Sequence, residues 1–129
     1  MQTLSLNAWG KTHPIGFCLD NYADNNNLYV GLLTYEEGYG EPWSDLTVNL
    51  GTKLVPNRAY IDTNNNGNGI INWLVSNQLG KPTGNIGLSG FCTYPEFEFN
   101  LHELKKYCVI ETDDDALLAD LRLEQRETM

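Results

Sequence analysis

Asp62, Asn64 and Asn66 stand at alternate positions in the stretch "DTNNNGNGIINW", and Gly67 follows them. That is the spacing of the oxygen ligands in the first half of an EF-hand calcium loop. The second half is missing. Position twelve, where a bidentate glutamate belongs, is Trp73, position eight is Gly69, and no carboxylate lies between Asp62 and Glu96. One formal negative charge is a poor cage for Ca²⁺. The stretch reads better as a strand end, a tight turn, an asparagine cap from Asn66 or Asn68, and a helix. The helix N-terminus near residues 68–70 then faces the loop, where an anion finds free N–H groups. No metal and no cofactor is expected.

The other reactive side chains are scattered. His13 and His102 fall in segments that read as unrelated loops, with no cysteine or carboxylate at zinc-ligand spacing. Cys18, Cys92 and Cys108 are far apart and form no C-x-x-C, so reduced thiols are the expected state. A nucleophilic pair of Cys92 with His13 or His102 would have to meet in space. "GKPTG" lacks the spacing of a phosphate-binding P-loop, and "GLSG" lacks that of a nucleophile elbow. Residues 80–90 are nevertheless a long glycine-rich connection. Lys81, Thr83 and Ser89 on it are candidates for a ligand loop, and a small enzyme or ligand-binding domain using that loop is the alternative reading.

The most suggestive surface is "YEEGYGEPWSD", which sets Glu36, Glu37, Glu41 and Asp45 beside Tyr39 and Trp43. Aromatics among charges mark contact patches. The formal charge is −9, from 17 acids against 8 bases, which argues against direct nucleic-acid binding, because that affinity depends on lysine and arginine displacing counterions. It suits a protein partner through this acidic-aromatic face, such as a basic, nucleic-acid-binding protein. No segment approaches the ~20 apolar residues of a membrane span, so no membrane role and a cytoplasmic location are expected.

The elements that must carry these residues are mostly strands. Leu4 and Leu6 alternate weakly. Ile15, Phe17 and Leu19 alternate cleanly, a polar turn follows at 23–27, and "LYVGLLTYE" (28–36) is a second strong strand. Residues 37–45 read as a loop, "LTVNL" (46–50) and "RAYID" (58–62) as strands, and residues 69–79 as a helix with Gly80 at its C-terminal cap. After the glycine-rich loop comes "FCTYPEFEF" (91–99), a strand whose Pro95 places it at an edge or a bulge. Asn100 caps one or two helical turns, Cys108–Glu111 is a short strand, and residues 112–129 read as an acidic helix. The expected fold is α+β: a mainly antiparallel sheet of about five strands, with the 69–79 helix packed on one face and a C-terminal helix. Residues 1–110 form one domain, and residues 111–129 form an acidic helix or tail.

Several blocks in order, "NLYVGL", "GEPWSDLTVNL", "IDTNNN" before a "WL" helix, "GKPTG" and "SGFCTYPEFEF", resemble a family of small proteins known as a domain of unknown function. That family is common in conjugative and integrative elements and in phage-like regions of gut bacteria. The resemblance spans about residues 14–100. It carries no catalytic signature and no residue roles. What it implies is a non-catalytic accessory protein of a mobile element, with a DNA-mimic-like inhibitor as one form that the acidic charge suits.

Overall fold

The structure is a computed structural model that describes residues 2–110. The helix expected over 112–129 lies outside the described residues. Among the described residues are nine strands and three short α-helices, with a 3₁₀ turn at Lys105–Tyr107: β1 (Leu4–Ala8), β2 (Lys11–Asn21), β3 (Leu28–Thr34), β4 (Glu41–Asp45), β5 (Thr47–Val48), β6 (Arg58–Ile61), α1 (Thr63–Asn66), α2 (Gly69–Ser76), β7 (Gly80–Ser89), β8 (Cys92–Phe99), α3 (Leu101–Leu104) and β9 (Cys108–Ile110). The class is α+β, as the alternation of periods predicts. The strands divide between two sheets. The first runs β1-β2-β3-β4, with β9 added parallel against β2; the second runs β5-β6-β8-β7. Among the described residues no helix is long and apolar enough to cross a membrane.

Period-two alternation fixes the first sheet's register. Phe17 pairs with Leu32 and Leu19 with Val30, so all four point to one face, and all are buried. A one-residue slip would turn this whole set outward. From the second sheet, Ala59, Ile61, Phe97 and Phe99 join the same core, and Ile70 and Leu74 of α2 close it. Phe97 and Phe99 meet edge to face at 5.0 Å. Each such side chain taken out of water contributes roughly 1.5–3 kcal/mol.

Leu46 joins the two sheets. Its N–H donates to the Val30 carbonyl of β3 at 2.9 Å, and its own carbonyl accepts from Asp62 N–H at 2.8 Å. The chain thus leaves one sheet and enters the other within one residue, which puts the Asp62–Asn66 turn beside the end of β4.

Five local expectations are corrected. Residues 41–45 are strand, not loop, and so is most of 80–90. Only Thr47 and Val48 of 46–50 pair as strand. The helix ends at Ser76, and the left-handed residue after it is Gln78 (φ 63°), while Gly80 opens β7. Asp62 caps the separate turn α1, its carboxylate accepting from Asn65 N–H at 3.1 Å and from the Asn65 amide at 2.8 Å, while Asn68 holds the N-cap position of α2. Asn68 makes no side-chain cap bond, and Asn66 lies inside α1. Pro95 does lie opposite an irregularity, the shift in β7 between Pro82 and Ile86.

Candidate functional site

The turn between β1 and β2 is two residues long, Trp9 and Gly10, with φ of 49° and 78°. Both values are positive, the signature of a type I′ hairpin, where Asn-Gly is the favoured pair. A bulky side chain in the left-handed region is an outlier that costs about 1–2 kcal/mol. Trp9 is also 86% exposed, so core burial does not repay this strain. Strain kept at one exposed aromatic points toward function.

Trp43 reaches Trp9 by a different device. Leu32 of β3 faces Ser44 and Leu33 faces Pro42, so Trp43 is the extra residue of a β-bulge. A bulge re-aims side chains. Here it lets consecutive residues serve one end of the core. Trp43 packs 5.2 Å from Trp9 and 4.6 Å from the His13 ring, while Ser44 Oγ donates to the Asn66 side-chain oxygen at 2.6 Å. Trp73 completes the set from α2. Its indole N–H donates to the Ser5 carbonyl of β1 at 2.8 Å, and its ring lies 6.0 Å from Phe17.

The three tryptophans of the chain therefore line one groove of about 790 Å³ between the β1–β2 hairpin and the α1–α2 corner. Asn64, Asn65 and Asn66 form its other rim. Asn66 is committed to the fold, donating to the Asp45 and Asp62 carbonyls, each at 2.9 Å. Asn64 and Asn65 are exposed. Each uses its amide N–H within the protein, toward Tyr94 at 3.2 Å and Asp62 at 2.8 Å, and their oxygens remain as acceptors among the described contacts. Among the described residues, no aspartate, glutamate, lysine, arginine or histidine lines the groove.

Behind the groove sits His13. It is not on a loop but in β2, and only 3% exposed. Its Nδ1 meets the Glu36 carboxylate, and its Nε2 lies 3.1 Å from the Ala8 carbonyl. Both nitrogens thus face oxygen acceptors, and neither is free to serve Cys92 as a base. The hydrogen bond to His13 holds the Glu36 carboxyl below the usual 4.5, opposed by partial desolvation and aided by the Lys11 charge 4.0 Å away. The sign follows from linkage. A carboxyl whose folded value is depressed stabilises fully above its ordinary range and loses that contribution as pH falls through the folded value. Glu36→Gln should therefore flatten the loss of urea resistance on going from neutral pH to below 4.5, relative to wild type. An identical acid limb in the variant would show that the pair contributes nothing.

The residues singled out in the sequence fall into two groups. Glu36, Trp43 and Asp45 are engaged within the protein: Asp45 accepts from Tyr29 Oη at 2.6 Å, and burial, with that bond second, pushes the Tyr29 hydroxyl up. Glu37 and Tyr39 project from the β3–β4 loop, with Tyr39 62% exposed, and Glu41 is half-buried in β4. On β7, Lys81 lies 3.8 Å from Glu98, and Thr83 donates to the buried Glu96 carboxylate at 2.6 Å. Ser89 pairs with Cys92 at the hairpin end. These three do not converge on one site. Trp9 and Trp73 were not singled out by the sequence. The available signal was the Trp-Gly pair at two-residue hairpin spacing, where an asparagine would be expected.

No curated protein and no solved structure matches the chain. Residues 17–115 match a family described as a domain of unknown function, DUF4313. That span covers most of the chain, including Trp43, Trp73 and the asparagine rim, while Trp9 lies just before it. The chain belongs to the DUF4313 family.

Proposed function

We propose that the chain is a non-catalytic binding domain that takes its ligand in the three-tryptophan groove. The observation that carries this is the convergence itself. Three indoles from a hairpin turn, a bulge and a helix share one groove, and one of them is held exposed against its backbone preference. Concave sites lined by aromatics with a few placed polar groups are the usual form of ligand pockets. The test is a thermal-shift screen of a neutral fragment library on wild type and Trp9→Asn, since a compound that binds only the folded state raises its Tm. Hits that stabilise wild type and lose their effect in the variant support the reading. No hits, or hits that act equally on both, overturn it.

A second reading is favoured by the β3–β4 loop, where Glu37 and Tyr39 stand exposed. Here an acidic-aromatic face takes a basic, nucleic-acid-binding protein, as an accessory protein of a mobile element would. Neutralising Glu37 and Glu41 together with Tyr39→Ala should then abolish nuclease-resistant capture of that partner without lowering the Tm. Undiminished capture would remove this face from consideration.

A further inference from the structure

We infer that the groove's ligand is a saccharide, a short neutral chain of pyranose rings; this rests on the groove being the binding site. Among the described residues no charged side chain lines the groove, in a chain of net charge −9. A phosphate or carboxylate ligand would find the N-terminus of α2 at Gly69 but no cationic side chain among the described lining residues, against the field of a chain of net charge −9. A quaternary ammonium ion is recognised by aromatic faces, but its cage gains from a carboxylate, and here the rim is amide. What remains is a neutral ligand with an apolar face and many hydroxyls. A pyranose ring has both. Its axial C–H bonds form a flat apolar face that stacks on an indole, and its equatorial hydroxyls point outward from the ring edge.

The geometry suits that division. Trp9 packs on Trp43 with centroids 5.2 Å apart and planes inclined by 39°, and its exposed ring is the aromatic face on one side. Asn64 and Asn65 present amides on the other. An amide accepts through its oxygen and donates through its nitrogen, which matches hydroxyls that do both. A polyproline segment also docks on aromatic grooves, yet it offers carbonyl acceptors and hardly any donors, so the Asn64 and Asn65 oxygens would go unmatched. The groove volume of about 790 Å³ lies in the range that encloses a drug-sized ligand, so several sugar rings fit better than one.

The strained turn supplies a clean test. Trp9→Asn places the favoured residue of a type I′ turn at this position and removes the outer stacking face, so the variant keeps or raises its Tm. Isothermal titration of wild type and Trp9→Asn uses cellotetraose, chitotetraose and maltotetraose as probes, with decaproline and choline as controls. The expected result is binding of at least one tetraose with Kd below about 1 mM, weakened about tenfold or more in Trp9→Asn. Three results overturn the inference: no tetraose response, binding of decaproline or choline in place of the sugars, or a tetraose affinity that Trp9→Asn leaves unchanged. If fragments stabilise the groove in the thermal screen while no tetraose binds, the ligand class falls and the groove stands. If neither acts, both fall.

Discussion

Gly80→Ala should destabilise the protein by about 4 kcal/mol or more and lower its urea midpoint sharply. Gly80 opens β7 with φ at 149°, a region that side-chain-bearing residues essentially avoid. A Cβ there would run into the Glu98 carbonyl oxygen and would lie 2.7 Å from Phe97 Cε2 and 2.9 Å from Phe99 Cα. Two of these three obstacles are backbone atoms of β8, held by strands on both sides, so they have little room to yield. The third is a ring that is fully buried in the core. Overpacking of this kind costs about 3 kcal/mol or more, and the backbone strain adds to it. A domain of this size has roughly 5–15 kcal/mol in total. The urea midpoint measures it. A midpoint within error of wild type would mean that β7 does not cross β8 as described.

The second large effect is expected at Trp43. Trp43→Ala removes the ring that packs on both Trp9 and the buried His13, with contacts of 5.2 and 4.6 Å. Removing a core tryptophan costs 3–5 kcal/mol, and Trp43 is only half-buried, so about 2–3 kcal/mol is expected. The same change deletes the ring on which Trp9 packs, so ligand binding should vanish as well. Trp43→Phe separates the two effects. It keeps a ring against His13 and should recover most of the stability, with binding only partly restored. Equal urea midpoints for Trp43→Ala and wild type would mean that the ring packs on nothing.

The two longest strand segments that sequence reasoning missed have a common physical cause. β4 and β7 are the edge strands of their sheets, and both carry proline, Pro42 and Pro82. An edge strand has one side free of the hydrogen-bond ladder, so it tolerates proline and glycine that a central strand rejects. The same residues read as loop when no partner strand is known. The β2–β3 hairpin was legible because both strands are central and bury one face, which forces the alternation of Phe17, Leu19, Val30 and Leu32. The division into two sheets was not legible. It depends on Leu46 exchanging partners in mid-chain, and nothing in its residue type marks that.

The site was legible in pieces. Trp43 stood out among its acids, and the asparagine run stood out by composition. Their meeting depends on Leu46 bringing Asp62 beside the end of β4, and on the Trp43 bulge. Trp9 and Trp73 are 64 positions apart, and the Trp73 bond to the Ser5 carbonyl ties α2 to β1. The asparagines drew attention as metal ligands. In the fold, Asp62 caps a helix turn, Asn66 braces two carbonyls, and Asn64 and Asn65 are the exposed pair on the groove rim.

The most direct test of the account follows the indole N–H signals of the three tryptophans in a ¹H–¹⁵N spectrum during titration with the tightest-binding tetraose. The account predicts that the Trp9 and Trp43 signals move together and saturably, along with the side-chain amides of Asn64 and Asn65, while the amides of Lys81–Ser89 stay in place. Unmoved indoles, or shifts confined to Glu36–Glu41 or to β7, would contradict it.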